Sequence, residues 1–594
     1  MRRPSLRHPG RGRDDTGKGQ ADSGKGQADI GRAADRQPTD SGEPAGGQPA
    51  GSGEPAGREW AGSGERTGGG EPAGAGEQGG VAAGTIRLGR PAGRWVILAT
   101  VLGSGMAMLD GTAVNVALPA IGRALKTSLG GLQWTISGYT LALAGLILLG
   151  GSLGDRLGRR RVFLAGVVWF ALASALCGVA PLIGVLIAAR VLQGVGGALL
   201  VPGSLAIIQA SFAAEHRARA VGAWSGLGGL AAAIGPLLGG WLVVTAGWSW
   251  VFLLNLPVAA VVIIVTLRHV PESRDAGAAR RFDVLGACLA ALALAGTTYA
   301  LIGTPGRGGS AASRIAAAVL GGAAATAFVV VERRRGRAGP PGRPAPMVPL
   351  DVFASRQFSA INAITFCVYG AFGGMLFLLV LQLQVSAGFS ALAAGTALLP
   401  VTVLMLLLSP RSAALAQRIG PRWLLTCGTL TCAAGMAAML RIGDRASYLA
   451  DVLPAVLVFG FGLSMVVAPL TATVLASADV RHAGVASGIN NAVARAAGLL
   501  AVAGLPAAVG LRAADYHSPA LLGSGFRATM IICAGLLVMS ALLAATLIDD
   551  RVLEPVPGHQ VAVPDSSRVC AVQSPPLECG PPESERLVSY PGRA

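Results

Sequence analysis

Fourteen blocks of mostly apolar residues, each about as long as a bilayer core is thick, run between Trp95 and Ile548. No other feature constrains the fold as strongly. A helix of about 20 residues spans about 30 Å of hydrocarbon and satisfies its own backbone hydrogen bonds, as lipid demands. Transmembrane strands would instead alternate apolar and polar residues over about 10 positions. The blocks lie near 95–118, 132–154, 162–180, 182–208, 218–245, 249–268, 284–304, 312–331, 358–383, 391–410, 422–441, 452–476, 485–510 and 528–548. Only 13% of the 594 residues are charged, too few to coat a soluble chain of this length. The predicted fold is therefore all-α and membrane-embedded, with its helices grouped six, two and six.

The flanks differ in kind. Residues 1–90 are rich in Gly, Ala, Glu, Gln and Pro and carry short repeats, GKGQAD at 17–22 and 24–29 and GEPAG at 42–46 and 53–57. Such composition cannot bury enough surface to offset ordering entropy, so this segment is predicted to be a disordered cytoplasmic tail. It lacks the apolar core of a signal peptide. The first six-helix bundle is read over 91–268. Two extra helices with linkers occupy 269–349, the second bundle 350–548, and a second disordered cytoplasmic tail 549–594.

The net charge is +17. In a soluble chain this would suggest nucleic acid. Here the basic residues punctuate alternate loops: Arg156, Arg159, Arg160 and Arg161; His216, Arg217 and Arg219; Arg333 to Arg335; Arg411, Arg418 and Arg422. They mark the cytoplasmic face, which places both termini inside and leaves no role for nucleic acid. The cysteines form no CxxC or Cys/His cluster, so neither a metal nor a cofactor is expected. No GxxxxGK[ST] loop is present for ATP, no nucleophile–base set for an enzyme, and no polar lining for a channel.

Ionisable residues inside the blocks are few, and each costs about 2.5–3.5 kcal/mol to insert at mid-bilayer, which marks them as functional candidates. Asp110 lies in LDGTAVNVALP at 109–119, Arg190 in RVLQG at 190–194, and Arg495 at the end of GVASGINNAVAR at 484–495. A membrane-embedded carboxylate that gains and loses a proton can couple movement to a proton gradient, and Arg190 is its expected counter-charge. Between blocks two and three, GSLGDRLGRRR at 151–161 holds Gly151, Asp155, Arg156, Gly158 and Arg159. Its glycines permit a tight reversal, and Asp155 is expected to bond a helix N-terminus or an Arg as a conformational latch. In block five, Gly222, Gly235, Pro236, Gly239 and Gly240 would bend the helix and admit a close neighbour. GVGGALLVP at 194–202 and GFGLSMVVAP at 460–469 echo each other with a one-residue slip, as in a duplicated transporter.

Taken together these segments resemble the major facilitator superfamily and, within it, the fourteen-helix drug:proton antiporters. The 151–161 loop is similar to that family's motif A, 190–194 to motif B, and 235–240 to the antiporter motif C, which is characteristic of exporters rather than uptake carriers. The 109–119 stretch resembles the first-helix motif, with Asp110 as the proton-linked carboxylate, and 484–495 resembles the thirteenth helix. Ala231 departs from a glycine usual in motif C, and the second-half counterpart of motif A near Ala416–Gly420 lacks the Asp. The resemblance implies a monomeric, multi-pass protein of a bacterial cell membrane that exports hydrophobic small molecules in exchange for protons. A dedicated exporter of one self-made metabolite is the alternative, and an uptake symporter ranks behind both. Asn115, Trp134, Tyr139, Gln193, Asn362, Tyr369, Asn490 and Arg495 are the expected cavity lining. Since no further carboxylate lies deep in blocks nine to fourteen, a neutral or amphipathic substrate is favoured over a strongly cationic one.

Overall fold

The computed structural model describes residues 86–274, 283–303, 310–336, 346–477, 483–512, 515 and 518–553. The predicted disordered tails therefore lie almost wholly outside the described residues. Among those described, fourteen helices are long and apolar enough to cross a membrane. They are α1 Pro91–Ala124, α2 Leu129–Leu157, α3 Arg159–Gly178, α4 Ile183–Ser211, α5 Glu215–Thr245, α6 Ser249–His269, α7 Val284–Ile302, α8 Ala311–Gly336, α9 Arg356–Ser386, α10 Ala391–Ile419, α11 Pro421–Arg441, α12 Tyr448–Ala476, α13 Val485–Ala508 and α14 Pro519–Leu547.

The apolar blocks located every helix and misjudged some ends. The helix α14 starts at Pro519, well before the block that opens at 528, because Arg527 inside it interrupts the apolar run. Pro at its first turn and Ser518 before it supply the start signal.

Packing repeats with an interval of eight helices. In the first half α1 packs on α5 and α6, α2 on α4, and α3 on α4 and α6. In the second half α9 packs on α13 and α14, α10 on α12, and α11 on α12 and α14. The glycine echo is part of this repeat. A Cβ on Gly196 would stand 2.7 Å from the Phe170 backbone on α3, and one on Gly462 would stand 2.6 Å from the Cys432 backbone on α11. Gly194 and Gly460 serve the α4–α2 and α12–α10 contacts in the same way. The glycines thus align without a slip, and only the prolines, Pro202 and Pro469, are offset. Small residues let helix backbones approach closely, which is where helix association in lipid gains its packing energy.

The extra pair, α7 and α8, is joined by the same device, with Gly296 against Gly321. Helix α7 packs on both α2 and α13, one helix from each half. Gly145 of α2 meets Ala291 of α7, where a Cβ would come within 2.9 Å.

Candidate transport site

Asp110 sits two-thirds of the way along α1 and is completely buried, as are Arg190 on α4 and its neighbour Gln193. Arg190 donates to Asp110 Oδ2 at 2.5 Å, to Gln193 Oε1 at 2.9 Å and to the Thr135 carbonyl on α2 at 3.0 Å. Gln193 in turn donates to Asp110 Oδ1 at 2.9 Å, and Asn255 on α6 reaches the same oxygen at 3.3 Å. Ser174 on α3 accepts from Gln193 and Asn255 and donates to the Phe252 carbonyl at 2.8 Å. The Arg190 guanidinium also stacks over Tyr139, 4.3 Å from the ring centre. Five helices of the first half are therefore joined in one network, in which α4 and α6 bond the carboxylate directly. A buried ion pair is tolerable only when its remaining donors and acceptors are filled, and here the amides fill them.

Asp110 and Arg190 meet as the sequence predicts. Gln193 belongs to their network rather than to a cavity wall. Asn255 and Ser174 were not anticipated. Their only sequence signal is polarity inside an apolar block, which a lone Ser or Asn shares with many packing residues.

In the loop at 151–161 Asp155 takes one of the two partners expected of it, an Arg, while the helix N-terminus goes to another carboxylate. Asp155 bonds Arg159, four residues on, at 2.8 Å. The start of α3 is capped instead by Glu272, from beyond the end of α6, which accepts from the Arg160 backbone N–H at 3.1 Å. Gly158 turns at φ +114°, and a Cβ there would lie 2.7 Å from Glu272 Oε1. The second half repeats this: Gly420 turns at φ +85°, and Asp550, beyond the end of α14, accepts from the Arg422 backbone N–H at 3.2 Å. So where the second-half loop lacks an Asp of its own, a carboxylate from the last helix still caps α11. In each half a negative charge meets a helix N-terminus, a favourable arrangement.

At the opposite, distal end the two halves touch. Gln133 at the start of α2 donates to the Val502 carbonyl of α13 at 2.7 Å, and Gln384 near the end of α9 donates to the Val116 carbonyl of α1 at 2.9 Å. A Cβ on Gly239 would come within 2.9 Å of Ala113 on α1, and one on Gly240 within 2.6 Å of the Ala391 carbonyl on α10. Gly235 lies against Thr112, which bonds back to the Ala232 carbonyl at 3.0 Å. Gly222, grouped with these glycines by sequence, has nothing near it. On α5 and α10, Leu227, Leu230, Leu406 and Leu407 are all exposed, as lipid-facing residues of a membrane helix are.

The remaining lining candidates divide. Trp134 donates to the Gly303 carbonyl at 2.8 Å and so fastens α2 to the end of α7. Asn115 donates to the Gly111 carbonyl of its own helix. Asn490 on α13 donates to Asn362 at 3.2 Å and to Thr365 at 2.7 Å on α9, a polar group inside the second half. Arg495 lies within electrostatic reach of Tyr139 in the first half and Tyr369 in the second. It bonds Asn491 at 3.1 Å and forms no ion pair among the described residues.

Residues 100–502 match the model of the Major Facilitator Superfamily. The chain is 35% identical over 397 residues to the multidrug resistance protein Stp of Mycobacterium tuberculosis, covering 67% of this chain and 72% of that one. It is 36% identical over 422 residues to a probable actinorhodin transporter of Streptomyces coelicolor, covering 70% and 72%. It is 35% identical over 473 residues to the puromycin resistance protein of Streptomyces alboniger, covering 77% and 92%. Among solved structures it shares its fold with an inward-facing bacterial homolog of the human lysosomal transporter Spinster. There the TM-score is 0.52 at 18% identity, over 78% of this chain and 98% of that one. With its duplicated six-helix halves, its buried Asp110 cluster and these relatives, the chain belongs to the Major Facilitator Superfamily.

Proposed function

We propose that this protein exports hydrophobic small molecules, of the drug and antibiotic class, in exchange for protons. The observation that carries this reading is the burial of Asp110 in a network that its own protonation would unmake. Ionised, the carboxylate holds Arg190, Gln193 and Asn255 through both oxygens. Protonated, it loses its charge and one accepting site, and Arg190 keeps Gln193, the Thr135 carbonyl and the faces of Tyr139 and Phe252. Tyr139 is the link to the substrate path, because it stands within electrostatic reach of Arg495 across the halves. A proton entering at Asp110 would thus be felt where the halves meet.

The expected cycle is rocking of the two halves about that seam. In this structure the distal end is held shut by Gln133 and Gln384, each of which bonds across the halves. The basic loops put the Asp155 end in the cytoplasm, which makes this the state that receives substrate from inside. One proton moving down 100 mV supplies about 2.3 kcal/mol, enough to sustain roughly a 50-fold gradient of a neutral substrate. The names of the relatives, which include multidrug and antibiotic resistance proteins, support export. Asp110 is already matched by Arg190 and the unpaired charge at the seam is a cation, which disfavours strongly cationic substrates.

The test is proton movement in inverted vesicles carrying the wild type or Asp110→Asn, as lipophilic antibiotics and dyes are added. Substrate-induced proton release that is lost in Asp110→Asn supports antiport through this carboxylate. Full coupling in the variant would sink the mechanism. Proton movement with one compound alone would favour a dedicated exporter, a reading raised by the relatives named for actinorhodin and tetracenomycin C.

A further inference from the structure

Far from Asp110, three ionisable side chains meet where the extra helix pair joins the second half. Asp283 precedes α7, and Glu332 and Arg335 lie in the last turn of α8. Asp283 and Glu332 are buried. Asp283 Oδ1 accepts from the Gly286 backbone N–H at 2.6 Å and pairs with Arg335. Glu332 Oε2 accepts from the Val348 backbone N–H at 2.9 Å, which fastens the linker that leads into α9. The two remaining oxygens, Asp283 Oδ2 and Glu332 Oε1, are both buried and meet no N–H or O–H of any other group among the described residues. Both turn into the same space over Gly286, 2.5 and 2.7 Å from where a Cβ on that residue would stand.

Among the described residues the two carboxylates and one guanidinium of the cluster sum to −1, an expensive charge to leave buried. Two unpartnered acceptor oxygens facing one another repel, unless one carries a proton and becomes a donor. We infer that Asp283 and Glu332 form a proton-binding site, in which one proton is shared between Glu332 Oε1 and Asp283 Oδ2 and keeps the linker fastened to the extra helix pair. The proton belongs to Glu332. Asp283 sits at a helix N-terminus, which favours its charged form, and Glu332 sits at a helix C-terminus, which disfavours charge on it. Burial alone would raise the Asp283 carboxyl, but the bonds from Glu332, Arg335 and the Gly286 N–H together hold it below the usual carboxylate range.

Other charges on the surrounding elements are Arg333 and Arg334, exposed on α8, and Asp351, exposed on the short turn before α9. Asp155 and Arg156 end α2, where Asp155 is taken up by Arg159, and Arg495 lies within α13. When the proton leaves, the cluster passes from neutral to −1, the two carboxylates separate, and the Val348 contact opens. Alkaline conditions therefore release the linker. This site does not depend on the role assigned to Asp110.

The experiment uses the full chain in lipid nanodiscs, with infrared spectra in H2O and D2O and amide exchange at Val348 across a pH series. The wild type is expected to show a carboxylic-acid C=O band that shifts in D2O and disappears on raising the pH. Val348 should lose its protection in step with the band. In Glu332→Gln made on the Asp110→Asn background, where no Asp110 acid can absorb, the Gln amide can donate to Asp283 and accept from Val348, so the band should be absent and Val348 protected at every pH. In Asp110→Asn the band should persist, which separates this proton from any held at Asp110. A band that survives in Glu332→Gln on the Asp110→Asn background, or Val348 protection that follows the same pH course with and without Glu332→Gln, would overturn the proposal.

Discussion

Asp110 on α1 and Arg190 on α4 meet at 2.5 Å, and neither side chain is more than 1% exposed. Eighty residues separate them in the chain. Removing one member leaves the other as a buried, uncompensated charge, which typically costs about 3–5 kcal/mol. Arg190→Ala is therefore expected to fold poorly. Asp110→Asn keeps the shape and an accepting oxygen but leaves Arg190 uncompensated, so it is expected to melt below the wild type and above Arg190→Ala while losing proton coupling. Thermal melting of both purified variants, beside the vesicle assay, checks the split.

Arg190→Lys tests what the guanidinium does beyond carrying charge. A lysine ammonium cannot reproduce the fork that reaches Asp110, Gln193 and Thr135 at once, nor the stack on Tyr139. Transport is expected to fall at least tenfold with charge conserved. Wild-type rates in Arg190→Lys would mean that charge alone suffices.

The distal contacts give a test of rocking. Gln133→Ala removes the side chain that bonds Val502, and it is expected to shift the population toward a state open at the distal end. Spin labels placed beside Gln133 on α2 and Val502 on α13 should report a longer mean separation in the variant. An unchanged distance distribution would show that helix packing, not this bond, holds the end shut.

Glycines of α5 differ in what surrounds them. A side chain on Gly240 would run into the backbone of Ala391 and Leu392, whereas Gly222 faces open space. Gly240→Val is expected to abolish transport by forcing the distal ends apart, and Gly222→Ala to keep it within about twofold. Parallel transport rates and expression levels of the two variants settle the comparison.

At the turns, Gly158→Ala places a Cβ at φ +114° against the Glu272 carboxylate. The backbone strain alone is about 1–2 kcal/mol. The melting temperature in detergent is expected to fall, and Gly420→Ala to behave alike because Asp550 occupies the equivalent place. A loss in one and none in the other would break the equivalence of the halves.

Much of this was legible from residue order. Apolar blocks gave all fourteen helices, because a bilayer permits few other ways to satisfy a backbone. Asp110 and Arg190 announced themselves because charge in such blocks is costly and must be used or paired. Gly194 and Gly460 revealed the duplication. Asn255 and Ser174 did not stand out, since a neutral polar side chain in a helix can always bond its own backbone and gives no sign that it reaches elsewhere. Glu272 and Asp550 read as ordinary loop and tail charges; only folding shows that each caps a helix more than 100 residues away. The partner of a side chain across a helix bundle is set by which faces meet, and those faces are chosen by the packing of the whole. The sequence by itself determined how many times this chain crosses a membrane and which charges it must bury. The tertiary structure alone decided that five helices join one network around Asp110, that α7 packs on a helix from each half, and that a second buried acid pair fastens the extra helices to the linker.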